Sequence, residues 1–265
     1  MSKLALLKQW FKDHKGTVTA FSGGVDSSLV LYVSKLVLGD AALGLISNSE
    51  SLKSKDFKVA TDFCKTHHIH LEVIKTSELE DPNYTANPAN RCFFCKTHLY
   101  EAMVTIIQDR YPEYTILNGT NYDDLGDYRP GLEAAKNHQI KSPLAELNIT
   151  KAEVIEMAKA LGLETASKPP SPCLSSRIPY GTRVNNERLK QIEHAEYVLN
   201  RFGFQNVRVR YKGKEASVEV PINELEALKS QFNLITEAIK AIGFSKVTID
   251  EEGFVSGKLN RVLNE

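Results

Sequence analysis

The feature that most constrains the fold is a short β-branched run at residues 17–21, which leads directly into Ser22-Gly-Gly-Val-Asp-Ser-Ser28 and an apolar helical stretch. The paired glycines lack Cβ atoms and can both take a positive φ, so backbone N–H groups can close around an anion. The two final serines stand where N-cap hydroxyls belong, and the helix start adds partial positive charge. An ordinary strand-to-helix turn would also use glycine, but the whole arrangement predicts a phosphate-binding loop.

The overall composition excludes several classes of protein. Lys plus Arg and Asp plus Glu each number 33 in 265 residues, so the formal net charge is zero. No global field therefore draws the chain to nucleic acid or to a membrane surface. The chain shows neither an apolar run of transmembrane length nor the apolar core of a signal peptide. Four cysteines in a chain this long do not make a secreted disulfide framework, so we predict a cytoplasmic protein whose clustered thiols bind metal or do chemistry.

Strand-like and helix-like segments alternate through the first two thirds of the chain. Strands are predicted at residues 17–21, 41–46, 70–74 and 115–118, with amphipathic helices between them. This alternation predicts βαβ units and a parallel sheet, hence an α/β domain. Because ligands of such sheets bind at the carboxyl ends of the strands, the phosphate loop and Asn48-Ser49 should share one rim. We expect Asn48 and Ser49 to contact a nucleotide, although turn formation is their alternative role.

The pattern changes after residue 185. A helix, two strands, a helix and a strand are predicted at 187–202, 206–211, 215–220, 223–242 and 246–249. This order predicts a smaller α+β domain of ferredoxin-like type, with a further strand near Thr182. We therefore predict one domain over residues 1–180 and a second over residues 181–265.

Three of the four cysteines form a candidate chemical centre. Cys92 and Cys95 make a Cys-x-x-Cys at the start of a predicted helix, where the helix dipole favours thiolate. Cys173 lies in a loop with hydroxyls and a cation, whereas Cys64 in mid-helix is expected to be a packed core thiol. If Cys173 reaches the pair, three thiolates can hold a [4Fe–4S] cluster with one open iron. Zinc with His98 as a further ligand, or simple packing, remain alternatives.

A local excess of positive charge occurs at residues 177–214, which contain nine Lys or Arg and only three Glu. Arg208 and Arg210 alternate with valines on a predicted strand, so the two arginines share one face. A solvated sheet face would explain two arginines on an ordinary strand. The local field nevertheless suits a phosphorylated substrate, because the fork geometry of Arg matches phosphate.

The chain resembles the LarE family of ATP-dependent sulfur transferases along essentially its whole length. The resemblance is carried by Ser22-Gly-Gly-Val-Asp-Ser-Ser28, Asn48-Ser-Glu50, Asp127-Tyr-Arg-Pro-Gly131, Cys173-Leu-Ser-Ser-Arg-Ile-Pro-Tyr-Gly-Thr182, Val207-Arg-Val-Arg210 and Gly253-Phe-Val-Ser-Gly257. The first motif resembles the PP-loop of ATP pyrophosphatases, which implies an adenine nucleotide alpha hydrolase-like domain followed by a domain for substrate phosphate and oligomerisation. Family members act in nickel-pincer cofactor biosynthesis for lactate racemase maturation. They adenylate a carboxylate of pyridinium dicarboxylate mononucleotide, release pyrophosphate, and replace AMP with sulfur to give a thiocarboxylate.

The resemblance also implies cofactors and site residues. ATP with Mg²⁺ would be held by Ser22, Gly23, Gly24, Asp26, Ser27, Ser28, Asn48 and Ser49. The nucleotide substrate would be contacted by Asp127, Arg129, Arg177, Glu196, Arg208 and Arg210. Besides this small molecule the resemblance implies a sulfide donor and a homo-oligomer of six, with no nucleic acid and no membrane as partner.

The cysteines resemble those of one branch of the family. In the cluster-bearing branch three cysteines hold [4Fe–4S] and an extra sulfide on the open iron is transferred, which implies Cys92, Cys95 and Cys173 as ligands. In the sacrificial branch a lone cysteine matching Cys173 gives up its own sulfur and leaves dehydroalanine. If Cys92 and Cys95 only pack or bind zinc, the sacrificial route applies.

Two functions outside this family are weighed against it. A tRNA thiolase would share the PP-loop and a three-cysteine cluster, but zero net charge and a small basic stretch disfavour an RNA substrate. A nucleotide-binding regulator with structural zinc would contain stoichiometric zinc and release no pyrophosphate.

Overall fold

The structure, a computed structural model, describes residues 1–255 and 257–263. Contacts divide the chain into two compact units: unit 1 comprises Met1–Glu78 and Asn90–Ser171, and unit 2 comprises Leu79–Ala89 and Pro172–Glu265. The predicted division into residues 1–180 and 181–265 stays a prediction. Ser256, in the last of the sequence motifs, lies outside the described residues.

The secondary structure of the described chain alternates helices and strands. The α-helices are α1 (Lys3–Lys12), α2 (Val25–Leu38), α3 (Ser54–Thr66), α4 (Pro82–Thr85), α5 (Arg91–Arg110), α6 (Gly131–Asn137), α7 (Pro143–Glu146), α8 (Lys151–Ala160), α9 (Asn186–Arg201) and α10 (Leu225–Lys240). The strands are β1 (Thr17–Ala20), β2 (Ala42–Ser47), β3 (His70–Ile74), β4 (Thr115–Leu117), β5 (Arg208–Lys212), β6 (Glu215–Glu219) and β7 (Lys246–Ile249). No helix in the described part of the chain is long and apolar enough to cross a membrane.

Unit 1 is built on a four-stranded parallel sheet in the order β3-β2-β1-β4. Strand β1 is internal, since Thr17 lies opposite Ala42 on one side and Thr115 on the other. All four residues of β1 are buried, as expected for a parallel strand that is covered on both faces. The α/β class with a parallel sheet that the alternation predicts is confirmed.

Two apolar clusters cover the two faces of this sheet. Leu43 and Leu45 of β2 belong to a cluster with Tyr100 and other residues of α5 and α6. Ile46, one residue further along, belongs to the opposite cluster with side chains of α1, α2, α3 and α8, because successive strand residues point to opposite faces. Cys64 lies in this second cluster with 2% of its surface exposed, and burial raises the pKa of its thiol to about 12. It is a core thiol, as predicted.

Unit 2 contains a three-stranded sheet in the order β5-β6-β7. Strands β5 and β6 are antiparallel, and β6 and β7 are parallel across the connection through α10. The predicted order of helix, two strands, helix and strand is therefore present. The further strand expected near Thr182 is absent from the described residues 178–185.

The segment Leu79–Ala89 supplies the hydrogen-bond partners of residues 178–185. Gly181 N–H donates to the Asn87 carbonyl at 2.9 Å, and Val184 N–H donates to the Thr85 carbonyl at 2.8 Å. The Asn87 side-chain amide donates to the carbonyls of Pro179 at 2.7 Å and of Thr182 at 3.0 Å. One buried amide thus satisfies backbone carbonyls that a sheet ladder would otherwise have to satisfy.

We predict that Asn87→Ala destabilises unit 2 by about 2–3 kcal/mol, because it leaves buried carbonyls without donors at a site with a φ of 57°. Asn83→Ala is the matched control, since Asn83 is exposed in the same segment and only its backbone N–H is recorded as donating. Urea unfolding of both variants measures the difference. Equal stability of the two variants would contradict the assigned role of the Asn87 amide.

Candidate functional site

The candidate phosphate loop, residues 22–28, follows the carboxyl end of β1 in unit 1. Gly23 has a φ of 67°, and a Cβ there would lie 3.0 Å from the Cβ of Ala60, so glycine is required on both grounds. Gly24 instead has a φ of −84° and is the N-cap of α2. Only Gly23 therefore uses the positive φ that both glycines can take. Ser27 and Ser28 lie within the first turns of α2 rather than at its cap, because the helix begins earlier than predicted.

Serine hydroxyls hold the loop together. The Oγ atoms of Ser22 and Ser27 are 3.1 Å apart, and Ser27 Oγ donates to the Gly24 carbonyl at 3.1 Å. Ser22 is exposed, whereas Ser28 is fully buried and its hydroxyl has no hydrogen-bond partner among the described residues. The first N–H groups of α2 lack intrahelical acceptors, and the dipole of this helix is positive at the same end. The loop therefore has the shape and polarity of an anion site.

Asp26 is held by two residues that the sequence patterns do not single out. Asn121 Nδ2 donates to Asp26 Oδ1 at 2.9 Å, and Lys151 Nζ lies 2.5 Å from Asp26 Oδ2. Lys151 is the first residue of α8, directly after Thr150, which forms a capping box with Glu153. A carboxylate beside an anion site is unfavourable unless a cation or a hydrogen bond offsets its charge. Here Lys151 and Asn121 provide that compensation within the protein.

The loop after β4 carries the predicted residues Asp127 and Arg129. Both are exposed, and Arg129 Nη2 lies 2.7 Å from Asp124 Oδ1 and 3.3 Å from Asp127 Oδ2. The other oxygen of Asp124 accepts from the Asn121 N–H at 3.1 Å. Burial raises the pKa of Asp124, and the charge of Asp26 acts in the same direction, while the Asn121 N–H and Arg129 oppose this shift. Asp124 therefore belongs to the Asp26 network, whereas Asp127 lies at its exposed edge.

A second lysine contacts the phosphate loop directly. Lys168 Nζ donates to the Gly23 carbonyl at 2.9 Å and lies 3.0 Å from Asp56 Oδ1. Asp56 is 7% exposed, and its other oxygen accepts from Ser171 Oγ at 2.5 Å. Ammonium groups of Lys151 and Lys168 thus lie at two points of one phosphate loop.

The other strand ends reach the same rim. Asn48 and Ser49 follow β2, the neighbour of β1; Asn48 is exposed, and Ser49 Oγ lies 3.0 Å from Ser51 Oγ. Gly119 follows β4 on the other side, and a Cβ at this position would lie 2.6 Å from Ser27 N. The strand order reverses between β1 and β4, which is the place where α/β sheets bind ligands.

The Cys-x-x-Cys pair lies at the start of α5. Cys92 is exposed and Cys95 is partly exposed, and residues three apart on a helix lie on one face. A Cβ on Gly131, at the end of the Asp127–Arg129 loop, would lie 3.7 Å from the Cys92 carbonyl. Cys173, in unit 2, is partly exposed and precedes the short 3₁₀ turn Leu174–Arg177.

Among residues 1–255 and 257–263, no group of three or more His, Cys, Asp or Glu side chains is arranged to hold a metal ion. Cys92 and Cys95 belong to unit 1 and Cys173 belongs to unit 2. The three-cysteine ligand set stays a prediction.

The predicted arginines of unit 2 are buried. Arg177 is 1% exposed and pairs with Glu196, which is 5% exposed, at 2.7 Å. Arg210 donates from Nε and Nη2 to the two oxygens of Glu219, both at 2.9 Å. The alternative of a solvated face for β5 is therefore wrong, since Arg208 and Arg210 are both buried.

Arg208 differs from Arg177 and Arg210. It is 7% exposed, its guanidinium lies 4.0 Å from the ring centre of Phe254, and no ion pair is recorded for it among the described residues. Burial, together with the charges of Arg177 and Arg210, lowers the pKa of Arg208 to about 10. Of the three guanidinium groups, this one is not committed to a carboxylate.

Sequence reasoning missed Asn121, Lys151, Lys168 and Glu219. Each acts on a partner at least nine residues away in sequence, so no local spacing marks it.

Comparisons with known proteins agree with this geometry. Residues 6–87 match the NAD synthase family model. An uncharacterized protein of Synechocystis, slr1717, is 41% identical over 100% of this chain and 99% of its own length. An uncharacterized protein of Methanocaldococcus jannaschii, MJ0830, is 30% identical over 93% of each chain.

A relative with a named activity covers the whole chain as well. Pyridinium-3,5-bisthiocarboxylic acid mononucleotide synthase of Lactiplantibacillus plantarum is 31% identical over 100% of this chain and 96% of its own length. The aligned region spans both units, so the similarity is not confined to the nucleotide fold. As its motifs predict, the chain belongs to the LarE family of ATP-using sulfurtransferases.

Proposed function

We propose that this enzyme adenylates a carboxylate of pyridinium dicarboxylate mononucleotide with ATP and then replaces AMP with sulfur to give a thiocarboxylate. The observation that carries the proposal is a phosphate loop at a sheet switch point, contacted by Lys151 and Lys168, in a chain related along its full length to a synthase of the bisthiocarboxylic acid mononucleotide. A carboxylate is a poor electrophile, so an adenylate is needed to supply a leaving group.

The adenylation step suits the residues of the phosphate loop. A carboxylate oxygen of the substrate attacks the α-phosphorus of ATP, the new O–P bond forms, and the bond to the β-phosphate oxygen breaks to release pyrophosphate. The start of α2 and the ammonium groups of Lys151 and Lys168 would stabilise the charge that develops on these oxygens. Asn48 and Ser49 would contact the rest of the nucleotide from the end of β2.

Mg²⁺ fits the carboxylates on this rim. Asp26 and Asp124 share Asn121 as a hydrogen-bond partner, and carboxylate oxygens are the ligands that a hard divalent cation takes. When bound, Mg²⁺ offsets the charge of the triphosphate. When the metal is not bound, Lys151 would compensate the negative charge of the Asp26 carboxylate.

We further propose Cys92, Cys95 and Cys173 as the ligands of a [4Fe–4S] cluster. Two thiols three residues apart at the positive end of α5 fit the thiolate chemistry that iron–sulfur clusters require. When bound, the cluster supplies an open iron that carries the sulfur to be transferred. The alternative is that Cys173 gives up its own sulfur, in which case the other two cysteines would not be needed.

Arg208 is the residue we assign to the substrate phosphate. Its buried guanidinium has no carboxylate partner among the described residues, and Arg is the side chain that best matches phosphate geometry. Asp127 and Arg129 would contact the substrate from the loop after β4. A sulfide donor and a hexameric assembly, both implied by the family, complete the proposal.

We predict that Asp26→Asn lowers pyrophosphate release from ATP by about 100-fold or more, because Lys151 and any bound Mg²⁺ lose their charged partner at the reacting phosphates. The melting temperature should change little, since Asp26 is only partly buried. Asp62→Asn, an exposed carboxylate of α3 paired with Lys58, is the control and should keep full activity. Unchanged pyrophosphate release in Asp26→Asn would place the adenylation site elsewhere.

The cluster ligands are tested by iron and sulfide analysis of anaerobically purified protein. Wild-type protein should contain both, and Cys92→Ser should lose them because one thiolate ligand is missing. Cys64→Ala is the matched control, since this buried thiol lies in the core. Stoichiometric zinc without iron, or dehydroalanine at position 173 after a single turnover, would overturn the cluster assignment while leaving adenylation untouched.

A further inference from the structure

We infer that Arg177 is a positioning residue, which holds the Cys173 loop (residues 172–177) against α9 and β5 through Glu196, and that it does not bind the substrate phosphate. The inference rests on the proposed function only in taking Cys173 as part of the sulfur site. It differs from the role that the family resemblance implies for this arginine. The evidence comes entirely from contacts within unit 2.

The first part of the evidence is the ion pair itself. Arg177 Nε donates to Glu196 Oε1 at 2.7 Å, and Nη2 donates to Oε2 at 3.3 Å. Two parallel hydrogen bonds from one guanidinium to one carboxylate fix the orientation of both groups. Because Arg177 and Glu196 are only 1% and 5% exposed, neither can leave the pair without leaving a buried charge uncompensated.

The second part of the evidence is the set of hydrogen bonds that Arg177 Nη1 donates. Arg177 Nη1 donates to the carbonyl of Pro172 at 2.9 Å, to that of Cys173 at 3.3 Å and to Ser176 Oγ at 2.9 Å. All three acceptors belong to the Cys173 loop. The guanidinium is therefore occupied on one side by Glu196 and on the other by the loop, which leaves only the second N–H of Nη2 for any external anion.

Glu196 extends the same arrangement to the sheet. Its Oε1 also accepts from the Val209 N–H at 3.2 Å, and Val209 lies between the two arginines of β5. The loop is held a second time from that strand, since Arg210 Nη1 donates to the Ser176 carbonyl at 2.8 Å while Glu219 holds its other nitrogens. The backbone on both sides of the Cys173 thiol is thus attached to α9 and to β5.

Arg208 provides the contrast. Arg208 lies on β5, as Arg210 does, and the charges of Arg177 and Arg210 act on it. It nevertheless makes no hydrogen bond to the Cys173 loop or to a carboxylate among the described residues. The structure therefore divides two tasks between similar side chains: Arg177 fixes the loop of the sulfur site, and Arg208 is available to an incoming anion. A loop fixed in this way affects the rate of the sulfur-transfer step, because small displacements of a reacting group are costly, and has little effect on substrate binding.

The test compares Arg177→Lys with Arg208→Lys, which keep the charge and lose the guanidinium fork. In Arg177→Lys we expect kcat for thiocarboxylate formation to fall about 10- to 100-fold with KM for the substrate within about twofold. Iodoacetamide should also modify Cys173 about fivefold faster in protein that holds neither iron nor substrate, measured by peptide mass spectrometry, because a loosened loop opens more often. Arg208→Lys should show the reverse: a raised KM and an unchanged rate of Cys173 modification.

Arg201→Lys, an exposed residue of α9, is the activity control and should match wild type in every measurement. A raised KM in Arg177→Lys with no change in Cys173 modification would overturn the inference and make Arg177 a substrate ligand. If Arg177→Lys fails to fold, Glu196→Gln should give the same faster modification of Cys173. An unchanged rate of Cys173 modification in Glu196→Gln would also overturn the inference. Because the modification rate needs no substrate, failure of the proposed reaction would show as inactive wild type and leave this test intact.

Discussion

The pairing of β1 with a parallel neighbour on each side is the constraint on which unit 1 depends. Because β2, β1 and β4 run in the same direction, the segments that follow them leave the sheet at one rim. The phosphate loop follows β1, and Gly119 after β4 approaches it so closely that a Cβ would touch Ser27 N. Asn121, which donates to Asp26, also comes from the segment after β4, so this part of the site follows from the strand order.

Compensation of buried charge recurs in both units. Asp56 is paired with Lys168 in unit 1, and in unit 2 two glutamates are paired with Arg177 and Arg210. Removing one partner of such a pair is much more costly than removing an exposed charge. These pairs therefore stabilise the fold of each unit, and in unit 2 they limit which of the arginines is available to a ligand. An arginine in a family motif need not contact the substrate that the motif serves.

The part of this arrangement that could be predicted from sequence is the part with a local period or a local conformational need. The parallel sheet follows from alternating apolar segments, and Gly23 follows from the backbone conformation that the loop must adopt. Lys168 contacts a carbonyl 145 residues away, and such pairings leave no trace in spacing. Glu196 lies on a helix, where charged residues are usually solvated, and only the tertiary fold reveals the Arg177 guanidinium beside it.

Arg208 differs from its two paired neighbours in the energetic cost of its burial. A guanidinium that is 7% exposed and lacks a carboxylate partner among the described residues weakens the folded state, since burial disfavours its charge and lowers its pKa to about 10. An anion bound there, as we propose for the substrate phosphate, would remove this penalty, and the free energy regained would contribute to binding. The proposed phosphate site therefore rests on the one arginine of the three that has no carboxylate partner among the described residues.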